Sequence, residues 1–173
     1  ILRHASTGGL VFGICGGYQM LGVEVRDPDG VEAGTGKCVR GMELLPARTV
    51  FEPEKHRTQI TGRFGMVQGT FSELSDIPFT GYEIHMGRTE YIGEQTELLH
   101  LDNGTTDGLQ CGNVYGCYIH GIFDQAEVVT AILKTILRRK GLDEDQVKSI
   151  DRKQYKEEQY NKLADIIREN LDM

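Results

Sequence analysis

The chain has 173 residues, 39% of them hydrophobic, which suits one domain with a substantial core. Its 19 Lys and Arg against 26 Asp and Glu leave a net charge of −7 with no basic stripe, which argues against a nucleic-acid surface. No apolar run approaches the roughly 20 residues that cross a bilayer, so no membrane partner is expected and a cytoplasmic location is the default.

Ile1-Leu2-Arg3-His4 reads as helix interior with no capping residue before it, and Ser6-Thr7-Gly8-Gly9 as the end of that helix, so the chain is expected to begin mid-domain. An apolar strand follows at Leu10–Ile14 and stops at a thiol crowded by glycines, in Gly13-Ile14-Cys15-Gly16-Gly17-Tyr18-Gln19. A strand that turns sharply into a helix pushes its corner side chain outward, and the strained corner calls for glycine-sized neighbours, here Gly13, Gly16 and Gly17. Cys15 is therefore a candidate nucleophile. The N–H groups opening the next helix are expected to lower its pKa and to hold an oxyanion. The plainer alternative is a buried cysteine acting as a small hydrophobe. The helix through Tyr18–Leu21 is expected to turn Met20 and Leu21 inward and to end near Gly22.

Residues 26–37, rich in Gly, Asp and Pro, read as a loop. Within it Gly34-Thr35-Gly36-Lys37-Cys38 imitates the tail of a phosphate-binding loop. Val31 stands where that motif needs glycine and Cys38 where it needs Ser or Thr, so no nucleotide site is expected. From Met42 onward, runs at Arg48–Phe51, Gln59–Val67, Tyr82–Ile92 and Glu97–Leu101 alternate with Gly, Pro and Asp breaks, the pattern of strands joined by hairpin-like connections. The segment Gly81-Tyr82-Glu83-Ile84-His85-Met86-Gly87-Arg88-Thr89-Glu90 is unusually polar for a strand. By alternation Tyr82, Ile84 and Met86 share one face, and Glu83, His85 and Gly87 the other. An ion pair of Glu83 with His85 or Arg88 is the structural reading; a wall of an active site, touching substrate or orienting a base, is the functional one.

A strand at Tyr115–Ile119 then stops at His120-Gly121. A cysteine nucleophile needs an imidazole to take its proton and later to protonate the leaving amine, and the two residues can be far apart in sequence, which makes His120 the candidate base. Taken alone, such a histidine is more often a structural or surface residue. Val128, Val129, Ile132, Leu133, Ile136 and Leu137 recur at helical spacing, with Arg138-Arg139-Lys140 in the last turn and Gly141 as the stop. A final helix at about 151–171 carries a narrow stripe of Tyr160, Leu163, Ile167 and Leu171. The four cysteines (15, 38, 111 and 117) are expected to stay reduced, and their spacing suggests no metal site.

The elbow at Gly13–Gly22, the Gly81–Thr89 segment and Tyr118-Ile119-His120-Gly121-Ile122-Phe123-Asp124 together resemble the glutamine amidotransferase domain of cobyric acid synthases, a cobalamin-type class I amidotransferase. The likeness runs to about residue 140 and rests most on Tyr82–Thr89. It implies an α/β, flavodoxin-like fold: a central, mostly parallel sheet flanked by helices, with the first strands missing. It also implies an amidotransferase domain over 1–142, N-terminally incomplete, and a helical extension over 143–173. It implies that Cys15 attacks the side-chain amide of glutamine, that a thioester forms and ammonia leaves, that His120 acts as base and acid, that the N–H of Gly16 holds the oxyanion, and that Gln19 lies near the bound glutamine. Tyr82, Glu83, His85 and Arg88 would complete the substrate-binding wall. No cofactor is implied in this domain. An upstream synthetase domain would use ATP and Mg to activate peripheral carboxylates of adenosylcobyrinic acid a,c-diamide and receive the ammonia. Many class I relatives carry a glutamate two residues after the histidine to orient its ring; here Ile122 stands there, leaving Asp124, Glu83 and Glu90 as candidates. Two other functions fit the elbow: an amidotransferase acting on a cell-wall precursor, against which the Tyr82–Thr89 string tells, and a catalytically silent domain that only binds or regulates a synthetase.

Overall fold

β-branched, aromatic and glycine-punctuated runs pair into one eight-stranded sheet in the order β1-β8-β7-β6-β4-β2-β3, with β5 on β4. The strands are β1 (Val11–Ile14), β2 (Glu24–Asp27), β3 (Lys37–Arg40), β4 (Ala47–Phe64), β5 (Pro78–Tyr91), β6 (Thr96–Leu101), β7 (Thr106–Cys111) and β8 (Val114–Cys117). The helices are α1 (Leu2–Ser6), α2 (Gly16–Leu21), α3 (Ala126–Arg139) and α4 (Arg152–Asn170). This computed structural model describes residues 1–32, 34–147 and 152–170. Contacts divide the chain into two units, Ile1–Ile122 and Phe123–Met173.

The class is α/β as expected, but the sheet is mixed. Only the β1–β8 and β2–β4 ladders run parallel, and the other pairings are antiparallel. The parallel majority implied by the resemblance is therefore absent among the described residues. Connection length explains it: Gly112-Asn113 joins β7 to β8, and a two-residue turn can only reverse the chain, whereas parallel neighbours need a long crossover. The runs at Arg48–Phe51 and Gln59–Val67 belong to one strand, β4, whose register on β5 slips between Phe51 and His56. The supposed loop at 26–37 is bounded by an edge hairpin of β2 and β3. Its buried Asp27 accepts backbone N–H groups of Val31 and Glu32 at 2.7 and 2.9 Å, and so pins the turn. Lys37 opens strand β3 rather than a helix, so the P-loop likeness lacks the helix N-terminus that would meet a phosphate.

In the first unit a cluster of Tyr18, Leu21, Leu45, Ala47, Leu109, Val114 and Tyr118 packs α2 onto the sheet. Tyr18 and Leu21 fill the inward face of this six-residue helix. Met20, expected inside, is 54% exposed, because a helix this short has room for one inward pair spaced three residues apart. In the second unit α3 spans the periodic segment and stops where predicted: Gly141 takes φ 65°, and the N–H of Leu142 returns to Leu137 O at 2.9 Å. α4 covers most of the final predicted helix; Asp151 and Leu171 lie outside the described residues. Among the described residues no helix is long and apolar enough to cross a membrane.

Candidate active site

Cys15 sits at the corner between β1 and α2 with φ 52° and ψ −116°, a left-handed backbone that a residue with a Cβ rarely adopts. Main-chain bonds hold the corner: its N–H donates to Cys117 O at 2.9 Å, and its carbonyl accepts from the N–H of Gln19 at 3.1 Å. Of the three glycines, only Gly13 is sterically required; a Cβ there would lie 2.6 Å from Leu21 Cδ1 and 2.8 Å from Gly17 C. At Gly16 and Gly17 a Cβ would meet nothing within 4 Å. The expectation of a crowded elbow is thus corrected on its helical side, which is open and leaves the Gly16 N–H approachable.

The thiol itself differs from expectation. Burial pushes the Cys15 pKa up, the Gly16 N–H pulls it down to a lesser degree, and the charge of Glu32 adds to the rise. Desolvation outweighs whatever field a six-residue helix supplies, so the resting sulfur is a thiol and needs a base. It donates to the carbonyl of Ile84 at 3.6 Å.

His120 arrives from the strand next door. β1 and β8 are parallel neighbours with Ile14 opposite Cys117, so Cys15 and the Tyr118–His120 segment leave the sheet at the same carboxyl edge. This is where open α/β sheets place their ligands. β5 crosses that edge and touches both residues: Ile84 O takes the Cys15 thiol, and Tyr82 exchanges N–H···O bonds of 3.1 and 2.8 Å with His120. Two contact points two residues apart on a strand lie about 7 Å from each other, which sets the Cys15 thiol and the His120 main chain against neighbouring points of β5.

The remaining predicted residues divide. The Tyr82 ring stacks on that of His120 with centroids 5.1 Å apart and planes at 5°. Tyr82 and Ile84 line a cavity of about 540 Å³ with Arg57, Thr58 and Gln59 of β4. Glu83 and His85 turn to the other face as the alternation requires, and Glu83 Oε1 bonds His85 Nε2. The His85 ring lies flat on Tyr118, centroids 3.7 Å apart. Gln19 reaches the Tyr118 hydroxyl, which is also shared with Thr89 at 2.7 Å and with Thr49. Gly16 and Gln19 border a groove of about 300 Å³. Arg88 is not brought to the thiol. It stands four residues past Ile84, roughly 13 Å along a strand, and its guanidinium is held by Glu52 and Glu90 at 2.9 and 2.8 Å.

Among the described residues the His120 ring has no hydrogen-bond partner, only the Tyr82 stack. Glu83 pairs with His85, Glu90 with Arg88 and Arg48, and Asp124 with Lys156. Sequence reasoning missed the carbonyl of Ile84, the ring of Tyr118 and the buried carboxyl of Asp107. Asp107 accepts the Tyr118 N–H at 2.8 Å, and burial raises its pKa to about 6. These contacts join residues far apart in sequence and leave no local pattern.

Residues 1–128 match the CobB/CobQ-like glutamine amidotransferase domain family. A cobyric acid synthase of Ruminiclostridium cellulolyticum is 47% identical over 180 residues, covering 100% of this chain and 35% of that protein. One of Lachnoclostridium phytofermentans is 45% identical over 186 residues, covering 100% and 36%. The chain thus spans about a third of the length of these relatives. Among solved structures, PurLQS from Thermotoga maritima shares the fold with a TM-score of 0.55 at 17% identity, over 80% of this chain and 65% of that one. The elbow thiol, the imidazole from the neighbouring parallel strand and the match over 1–128 lead to one assignment: the chain belongs to the CobB/CobQ-like glutamine amidotransferase domain family.

Proposed function

We propose that this chain is the glutaminase part of a cobyric acid synthase. The observation that carries the reading is Cys15, held at φ 52° on the carboxyl edge of β1 beside the segment that ends β8, in a chain matched along its whole length by proteins of that name. In this mechanism His120 takes the thiol proton as Cys15 Sγ attacks the side-chain amide carbon of glutamine. The Gly16 N–H, on the open side of the elbow, faces the developing oxyanion. As the tetrahedral intermediate collapses, His120 returns the proton to the departing nitrogen and ammonia leaves. Water, deprotonated by His120, then cleaves the thioester to glutamate and regenerates the thiol. The cavity beside Tyr82 and Ile84 has the volume for the amino-acid end of glutamine, and Gln19 borders a groove on the helix side of the elbow. The ammonia would pass to an ATP- and Mg-dependent synthetase domain for amidation of adenosylcobyrinic acid a,c-diamide.

The test is glutamine-dependent amidation by the full-length protein. Cys15→Ala is expected to abolish it and His120→Ala to reduce it at least 100-fold, on the order of what positioned acid–base and nucleophilic groups contribute. Both variants should still use free ammonium. Glutamine-dependent activity that survives Cys15→Ala rejects the reading.

A further inference from the structure

We infer that Tyr82 is the positioning residue of the His120 imidazole, performing through its ring face what a carboxylate performs elsewhere through a hydrogen bond; this rests on the glutaminase reading. A general base must present one nitrogen to the thiol and keep it there, yet an imidazole turns freely about its Cβ–Cγ bond unless something fixes the plane. In this chain no side chain among the described residues hydrogen-bonds the His120 ring, and Ile122, buried completely, offers none. The Tyr82 ring lies parallel to it within 5° at 5.1 Å, an offset stack that leaves both ring edges free for thiol and leaving group.

The backbone fixes the other degrees of freedom. Tyr82 N donates to His120 O at 3.1 Å and His120 N to Tyr82 O at 2.8 Å, a reciprocal pair standing outside any named ladder. That closeness depends on the preceding residue, since a Cβ at Gly81 would fall 2.4 Å from His120 O and 2.5 Å from Ile119 Cγ2. The arrangement therefore clamps the main chain of the base and then lays an aromatic face on its side chain. During the reaction the imidazole becomes a cation, and the face of a tyrosine attracts a cation placed over it. The clamp thus favours the charged intermediate and fixes the ring plane. The Tyr82 side chain is 46% exposed, so replacing it removes the stack without opening the core.

The experiment compares Tyr82→Leu and Tyr82→Phe in the full-length protein, with glutamine and with ammonium as nitrogen donors. Tyr82→Leu is expected to lower kcat for glutamine ten- to 100-fold, with a smaller rise in KM because Tyr82 also lines the cavity assigned to glutamine, while ammonium-driven amidation in the synthetase domain reports an intact fold. Tyr82→Phe, which keeps the face and loses the hydroxyl, is expected within threefold of wild type. The proton resonances of the His120 ring, shifted upfield by the stack, should move downfield in Tyr82→Leu and stay in Tyr82→Phe. Full kcat in Tyr82→Leu, a change confined to KM, or equal losses in Leu and Phe overturn the inference while leaving the glutaminase reading standing. A wild-type protein that hydrolyses no glutamine overturns both.

Discussion

At Cys15 two demands pull in opposite directions. The left-handed backbone, a conformation that costs about 1–3 kcal/mol for a residue with a Cβ, holds the thiol out at the corner against the Ile84 carbonyl, while the burial that comes with the corner disfavours its anion. The Gly16 N–H offsets part of that, and the Glu32 carboxylate works against it. A thiol in this state does not wait as a thiolate; in the proposed mechanism His120 would deprotonate it in the step that uses it. Iodoacetamide labelling followed by mass spectrometry separates Cys15 from the exposed Cys38 and Cys111. Its rate against pH is expected to rise with a midpoint above the roughly 8.5 of free cysteine. Glu32→Gln should bring that midpoint down, since it removes a negative charge that opposes ionisation. A midpoint below that of free cysteine would mean that the helix terminus, not the base, activates the sulfur.

The elements that carry the site differ in how far glycine is structural, and this can be measured. Gly81→Ala drives a Cβ into His120 O and Ile119, separating β5 from the end of β8. It is expected to cost about 1–3 kcal/mol in urea unfolding, as overpacking does, and to lower glutamine hydrolysis more than tenfold. Gly16→Ala, which meets nothing, should leave stability within about 1 kcal/mol of wild type or slightly above it, because alanine is the better helix former. Stability losses of equal size would contradict the structure. The same contrast explains what the sequence discloses. The elbow, the His120 strand end and α3 are written in local patterns: a strand closing on Gly-flanked cysteine, apolar alternation, a 3.6-residue period. β2 and β3 are not, because β3 is exposed along its whole length and its Lys37 and Arg40 resemble loop residues. β7 is hidden for the opposite reason. Its Asp107 and Gln110 are buried, and satisfied by partners distant in the chain: the Tyr118 N–H for one, and Met66 O, Glu97 O and the Gln68 N–H for the other. A polar residue with a remote partner looks, in sequence, like a polar residue facing water. The stack of Tyr82 on His120 is invisible for the same reason, whereas the alternation that separates Tyr82 from Glu83 was readable and holds.

On the scale of the whole first unit, Asp107 links the site to stability. It lies 8% exposed, accepts the Tyr118 N–H, and has its pKa raised from 3.8 to about 6. Burial is the main cause; the carboxylate of Glu83 adds to the rise, while the Tyr118 and Gly108 N–H groups and His85 lower it. The folded state therefore binds the Asp107 proton more firmly than the unfolded chain does. Between about pH 4 and 6 the native state holds more protons, so this group makes stability fall as pH rises through that window, by an amount of the order of 3 kcal/mol once the carboxyl is fully ionised. Asp107→Asn keeps an oxygen for the Tyr118 N–H and removes the titration. Unfolding free energies of variant and wild type should be closest near pH 4 and should separate in favour of the variant by about 2–3 kcal/mol on going to pH 7. Any lost hydrogen bond shifts the two ends of that comparison alike and cancels from the difference. A gap independent of pH would mean that the native Asp107 carboxyl titrates where the unfolded one does, the Tyr118 and Gly108 N–H groups then balancing its burial.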